Sequence, residues 1–439
     1  MIPPPAPALK RSLSPFLLWG LGVGYVISGM YFGWNLGLEQ GGTGGLAIAT
    51  FFIIILYTTF TFSYAELAAA IPKAGGAFDY AHRALGKDFG FIAGMAQNIE
   101  FIFAPPAIAF AVGAYFNLFF PQIPIKAIAM FAYILFTSLN IYGVKAAARF
   151  ELVITILAVG ELLLFTGITL PHFELKNIQH NAFPHGWHGI LAAIPFAIWF
   201  FLGIEGVANT AEEVVHPKRT LLRGFGSAII TLIVLCIFIF FSSIGIRGWE
   251  AIVYKPDGSA SDSPLPMAMA LVTGNNHLLY HLLITVGLFG LIASFHGLIL
   301  AAGRSTYEFG KVKFAPSFLG KIHPKFQTPS NALLLNMILG MIALLSGKTL
   351  EIITISVFGA LTLYILSMIS LLRLRKKEPL LERPFKVPFY PVFPVVALVI
   401  AGISMAAMTV FNIELSLLYI TGMVISYGLF KLFTKKEIT

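Results

Sequence analysis

Apolar stretches of about 20 residues, the length that carries a helix across a bilayer, recur along the whole chain with short polar segments between them. Twelve such runs are read, at 16–39, 45–70, 89–119, 125–143, 151–170, 189–211, 222–246, 278–303, 329–346, 350–372, 391–411 and 415–433. The longest polar connections, 247–277 and 304–328, read as loops, and nothing remains to build a soluble domain. The pattern predicts an all-α integral membrane protein of twelve transmembrane helices.

Two runs are interrupted near their middle. The first reads LLWGLGVGYVISGMYFGWNLGLEQGG, with Ser28-Gly29 at its centre, and the sixth reads AAIPFAIWFFLGIEGVANTAEE, with Gly203 and Gly206. Glycine lowers the cost of leaving helical geometry, and unwound backbone at membrane depth survives only where it faces a cavity or protein. Close helix packing is the competing reading of a membrane glycine. A matched pair of breaks, with Glu205 inside the second, points instead to a binding site. Runs one and six are each the first of five. That order suits five-plus-five inverted repeats at 16–170 and 189–372, then a basic loop at 373–390 and two further helices at 391–433. Polar tails are expected at 1–15 and 434–439. Pro105-Pro106 is expected to bend run three just after Glu100, either to line a cavity with freed carbonyls or to serve packing.

Composition agrees: the chain is 57% hydrophobic and 11% charged, with a mean hydropathy of +0.84. Its net charge of +9 invites a nucleic-acid reading, which the placement of the charges excludes. Only Lys126, Lys176, Arg247, Lys255 and Lys348 fall on one side of the predicted topology, and all other Lys and Arg fall on the other. This asymmetry follows the positive-inside rule and predicts cytoplasmic termini in a cell membrane. Cys236 is the single cysteine, so no disulfide forms within the chain. The opening MIPPPAPALKRSLSP reads as a tail before a helix that stays as an uncleaved anchor. Trp19, Trp187 and Trp249 fall near predicted interfaces. His172, His180, His185 and His188 share an outer loop, but their spacing fits no compact ligand set, so no metal or other cofactor is expected.

No Lys or Arg lies mid-run; what remains inside is acidic, at Glu100, Glu161 and Glu205. Intramembrane ionisable groups mark functional positions. An interior with carboxylates and no fixed cation attracts a cation, a proton or both, which predicts a transporter for a small amine-bearing solute. The half-helix ends are expected to offer unpaired N–H groups at Ser28, Gly29 and Met30, and from Gly203 to Gly206. Glu205 is the leading substrate or coupling residue; its competing role is to brace the break. Glu100 is a second candidate, against a reading as a carboxylate near the lipid interface. A carboxylate in apolar surroundings can carry a proton at neutral pH, so Glu161 and Glu205 are proton-coupling candidates, with His296 as a possible relay. Trp199 can offer its ring face to a cation, and Tyr31 and Phe201 are lining candidates beside it. Glu66, at the end of run two near Lys73 and Arg83, reads as an internal gate. Glu212 and Glu213, followed by Lys218 and Arg219, read the same way.

Two segments carry a family resemblance. SYAELAAAIPKAGGAFDYAHRALG at 63–86 and FLGIEGVANTAEEVVHPKRT at 201–220 resemble the amino acid–polyamine–organocation superfamily. SGMYFGWN at 28–35, EFIFAPPAIAFAVGAYFN at 100–117, AAIPFAIWFFLGIEGVA at 192–208 and GLFGLIASFHGLIL at 287–300 are similar to its ethanolamine permease branch. The resemblance implies the leucine-transporter-like inverted repeat. It also implies a gating role for the glutamate matching Glu205 and an aromatic lid at Trp199. Proton-coupled relatives carry a lysine on the fifth helix, and this chain has none there. Sodium-coupled relatives pair two hydroxyls on the eighth helix, where Ser294 stands alone, so protons are expected rather than sodium. Ethanolamine permeases tend to carry an acid where this chain has Met30, which leaves that work to other groups or signals another substrate.

The best reading is a secondary permease importing ethanolamine, with a neutral or cationic amino acid permease or exchanger as the alternative. An intramembrane enzyme needs a nucleophile–base pair or helical metal ligands. The sequence contains no HExxH and no GxSxG. A channel needs pore-lining rings, which the pattern does not suggest, and no ATP-binding segment is present. The sequence does not indicate an oligomeric state.

Overall fold

The computed structural model describes residues 13–73, 75–142, 147–215 and 217–435. It is helical; among the described residues only two isolated bridges form, Leu13 with Val214 and Tyr254 with Ala260. The first apolar run divides into α1 (Pro15–Val26), α2 (Ser28–Tyr31) and the start of α3 (Leu36–Ala70). α3 turns at Gly42 and continues through run two. A proline at the first position and the Ser14 hydroxyl, which accepts from Leu17 N at 3.3 Å, set the start of α1.

There follow α4 (Ala77–Leu85), α5 (Lys87–Asn117), α6 (Ile125–Tyr142) and α7 (Ala147–Thr169). Beyond the short α8 (Leu175–Gln179), run six is made by α9 (Gly186–Ala192), α10 (Ile194–Trp199) and a 3-10 segment, Ile204–Glu213. The second half comprises α11 (Pro217–Ile244), α12 (Glu250–Val253), α13 (Pro264–Thr273) and α14 (Leu278–Lys311). Then come α15 (Ser330–Ser346), α16 (Thr349–Lys377), α17 (Val392–Phe411) and α18 (Ile413–Lys435).

Among the described residues, ten helices are long and apolar enough to cross a membrane; α1 and α15, where runs one and nine were expected, are shorter apolar helices. The chain is a multi-pass all-α membrane protein. α5 contains Pro105 and Pro106 within one helix. One expectation changes. The connection 247–277 is not simply a loop: α13 buries Leu265, Ala268 and Met269, being apolar but too short to span.

Burial ranks the helices. The apolar windows of α5 and α16 are 83% buried, whereas that of Ile413–Leu432 in α18 is 17% buried. The core thus gathers around α5, α16 and the broken run six, and α18 is the most exposed of these helices.

Candidate functional site

The two interruptions lie against each other at the centre of this core. After α2, Phe32 is extended and Gly33 takes φ +87°, a conformation that favours glycine. After α10, residues 200–203 form a turn closed by Gly203 at φ +98°. Gly29, expected to unwind the chain, serves a different need. A Cβ there would stand 2.4 Å from the Trp199 carbonyl oxygen, so it lets the second break pack onto the first. The Trp34 ring stacks on Phe200 at 5.4 Å.

The backbone groups of the first break are largely occupied, which corrects the expectation of unpaired amides. Ser28 N donates to Ser294 Oγ at 3.0 Å, and Ser294 Oγ donates to Gly24 O at 2.6 Å. Met30 N donates to Ile27 O at 3.0 Å, and in the second break Gly206 N donates to Gly203 O at 3.0 Å. Among the carbonyls, Met30 O accepts from Trp34 Nε1 at 3.2 Å, Tyr31 O from the Tyr115 hydroxyl at 3.1 Å, and Phe32 O from Trp199 Nε1 at 3.0 Å. Asn35 accepts from Gly33 N at 3.0 Å and donates to Ser261 O at 2.8 Å, tying the break to the connection between α12 and α13. Buried backbone polar groups must be paired, and here side chains substitute for the missing helical partners. Sequence patterns reveal where a helix breaks, not which side chains repair it.

A carboxyl cluster lies beside these turns. Glu205 Oε2 accepts from the Tyr364 hydroxyl at 2.9 Å, and the Tyr364 and Tyr57 hydroxyls are 2.9 Å apart. Glu100 faces Glu205 from α5. It is fully buried, so it does not lie at a lipid interface. Phe201 packs on Tyr57 with ring centroids 5.2 Å apart, and Trp199 lies edge-on to Phe32 at 5.5 Å. Tyr31 joins Glu161 to this centre, its hydroxyl donating to Glu161 Oε2 at 2.5 Å and lying 3.2 Å from Ala158 O. His296 is buried on α14, edge-on to Phe136 at 6.4 Å.

Glu151 on α7 escaped the sequence reading because it stands at the first position of run five. It is buried, and its Oε1 meets no donor among the described residues. That oxygen would lie 2.5 Å from a Cβ on Gly24 of α1, beside Thr155, whose hydroxyl donates to Gly20 O at 3.2 Å. Among the described residues the buried acids are thus Glu66, Glu100, Glu151, Glu161 and Glu205; of these Glu66 has a buried cationic partner, the side chain of Arg383.

The ion pairs around Glu66 differ from those expected of an internal gate. Glu66 pairs with Arg375, whose Nε and Nη2 both reach it at 2.7 Å, with Arg383 Nε at 3.3 Å, and with Val387 N at 2.7 Å. Lys73 instead lies 3.8 Å from Asp79, and Arg83 pairs with Glu378 at 2.6 Å. A guanidinium fork matches both carboxylate oxygens, which the exposed Lys73 ammonium cannot. The Arg83 pairing holds the Glu378 carboxyl below its ordinary range. The side chains of Glu212, Glu213, Lys218 and Arg219 lie outside the described residues.

No group of three metal-binding side chains occurs among the described residues. The family model of the amino acid permeases matches residues 13–430. An uncharacterized transporter of Rhizobium meliloti is 30% identical, over 93% of this chain and 91% of its own length. The methylthioribose transporter of Bacillus subtilis is 26% identical, over 91% of this chain and 88% of its own. The branched-chain amino acid permease BcaP of the same organism is 24% identical, over 89% and 86%.

Proposed function

This chain belongs to the amino acid permease family, and from that premise we propose that it is a secondary transporter importing a small amine-bearing solute, with ethanolamine the foremost substrate. Alternating access between two inverted repeats, 16–170 and 189–372, moves the solute across the cell membrane in step with protons, with both termini in the cytoplasm. The observation that carries this reading is the buried pair Glu100 and Glu205 beside two helix breaks, with no buried Lys or Arg beside it among the described residues. Two adjacent carboxylates repel, and an ammonium or a proton between them relieves the repulsion. The indole of Trp199 and the ring of Phe201 supply apolar walls for a short carbon chain. Ser28, Gly29, Met30, Gly203 and Gly206 form the backbone of the cradle. Glu161 is linked to it through Tyr31, and with Glu205 it carries the coupled proton; His296 is a lesser relay. Glu66 closes the inner side, through Arg375 and Arg383 rather than Lys73 and Arg83.

The branched-chain amino acid permease among the relatives favours a second reading, a neutral or cationic amino acid permease or exchanger. Met30, in place of the acid usual in ethanolamine carriers, leans the same way. Uptake into proteoliposomes separates the two. Radiolabelled ethanolamine is expected to accumulate under an inward proton gradient and to outcompete serine, leucine and arginine. Accumulation of an amino acid with no ethanolamine uptake would replace the first reading by the second. Glutamine at both Glu161 and Glu205 is expected to flatten the pH dependence of uptake, and an unchanged pH profile would remove those carboxyls from coupling.

A further inference from the structure

We propose that the groove between α1, α3 and α11 binds an anionic phospholipid, with one acyl chain in the groove and the phosphate at Arg223. The groove encloses about 630 Å³ and is walled by Phe16, Trp19, Phe62, Leu222 and Ile230. Phe16 stacks flat on Trp19 at 5.4 Å, and Trp19 Nε1 donates to Thr231 Oγ1 at 3.0 Å, so the indole is fixed as one wall. Phe16 and Ile230 are more than half exposed, which leaves the apolar trough open to the bilayer.

Charge complementarity selects the lipid. Arg223 borders the trough, is exposed, and makes no ion pair with a described residue. Val215 N donates to Leu13 O at 3.3 Å, which brings the beginnings of α1 and α11 to one end of the molecule. A basic side chain beside an apolar inter-helix trough at the membrane edge matches a phosphate above an acyl chain. A zwitterionic headgroup carries the same phosphate but adds a cation that opposes the guanidinium, so a headgroup of net negative charge is favoured. The occupant would also brace α1, the half-helix that stops at the first break, against α3 and α11. This site is independent of the transported solute.

Trp19 is the reporter. Protein in phosphatidylcholine nanodiscs is titrated with brominated phosphatidylglycerol or with brominated phosphatidylcholine, and the Trp19 signal is taken as the difference from Trp19→Phe. The wild type is expected to show about fivefold preference for the glycerol lipid, the scale of one basic residue at an anionic surface. Arg223→Gln is expected to bring the two lipids to parity and Arg223→Lys to restore much of the preference. Ser227→Leu, which fills the trough and leaves the charge, is expected to reduce quenching by both lipids. Equal quenching by both lipids in the wild type, or a preference that survives Arg223→Gln, would overturn the proposal. Melting temperatures of the variants in phosphatidylcholine alone show whether each remains folded, and Arg223→Lys carries the comparison if Arg223→Gln does not.

Discussion

Tyr364 gives its hydroxyl to Glu205 and lies within hydrogen-bond reach of Tyr57. A hydrogen bond to a charged group contributes about 1.5–3 kcal/mol and one between neutral groups about 0.5–1.5 kcal/mol. Tyr364→Phe is therefore expected to lower stability and solute affinity more than Tyr57→Phe. Thermal unfolding and substrate-protection assays in matched detergent would show the order, and equal effects would mean that Glu205 does not depend on the phenol. At this scale the acids were legible and their partners were not. Glu100, Glu161 and Glu205 stand out as charges within apolar runs, whereas Tyr57 and Tyr364 look like ordinary membrane aromatics 307 residues apart. Glu151 was hidden by standing on a boundary.

The two interrupted helices were legible as elements because glycines punctuate otherwise unbroken apolar runs. The residue that turns the chain is not the expected one: Gly33 carries the left-handed conformation, while Gly29 admits the Trp199 carbonyl. That distinction depends on which backbone passes nearby, and no local pattern encodes it. The connection between α12 and α13, which holds the first break through Asn35 and Ser261, adds a pH-sensitive element. Burial pushes the Asp262 carboxyl up to about 6, against the opposing pull of Lys255 and the Thr349 hydroxyl. A folded-state value above the unfolded one means that folding binds the proton. The contribution to stability is thus full below the unfolded value and falls as pH rises through about 6. Hydrogen exchange over 254–263, corrected for intrinsic rate, is expected to be slower at about pH 5 than at about pH 7.5. Asp262→Asn is expected to abolish that difference, and a difference that persists would assign it elsewhere.

Across the whole molecule, run lengths and charge placement were enough to anticipate a multi-pass helical protein, because bilayer thickness and desolvation constrain every segment alike. Pairings between distant helices were not, and the inner clasp shows why: Glu66 lies 309 residues before Arg375, while Lys73 and Arg83 are merely near in sequence. Removing one partner of a buried pair costs about 3–5 kcal/mol because the other charge is left uncompensated. Glu66→Gln is therefore expected to lower the melting temperature sharply, and Lys73→Ala to leave it nearly unchanged. The reverse order would restore the pairing suggested by sequence proximity. The first break has a comparable reach: its residues are held by Tyr115 of α5, Glu161 of α7, Trp199 of α10 and Ser294 of α14. An ammonium carries three N–H donors, as many as the side chains now capping the carbonyls of Met30, Tyr31 and Phe32. A guest that trades its own donors for those caps would unfasten several helices at once, so selectivity and movement would arise from the same exchange.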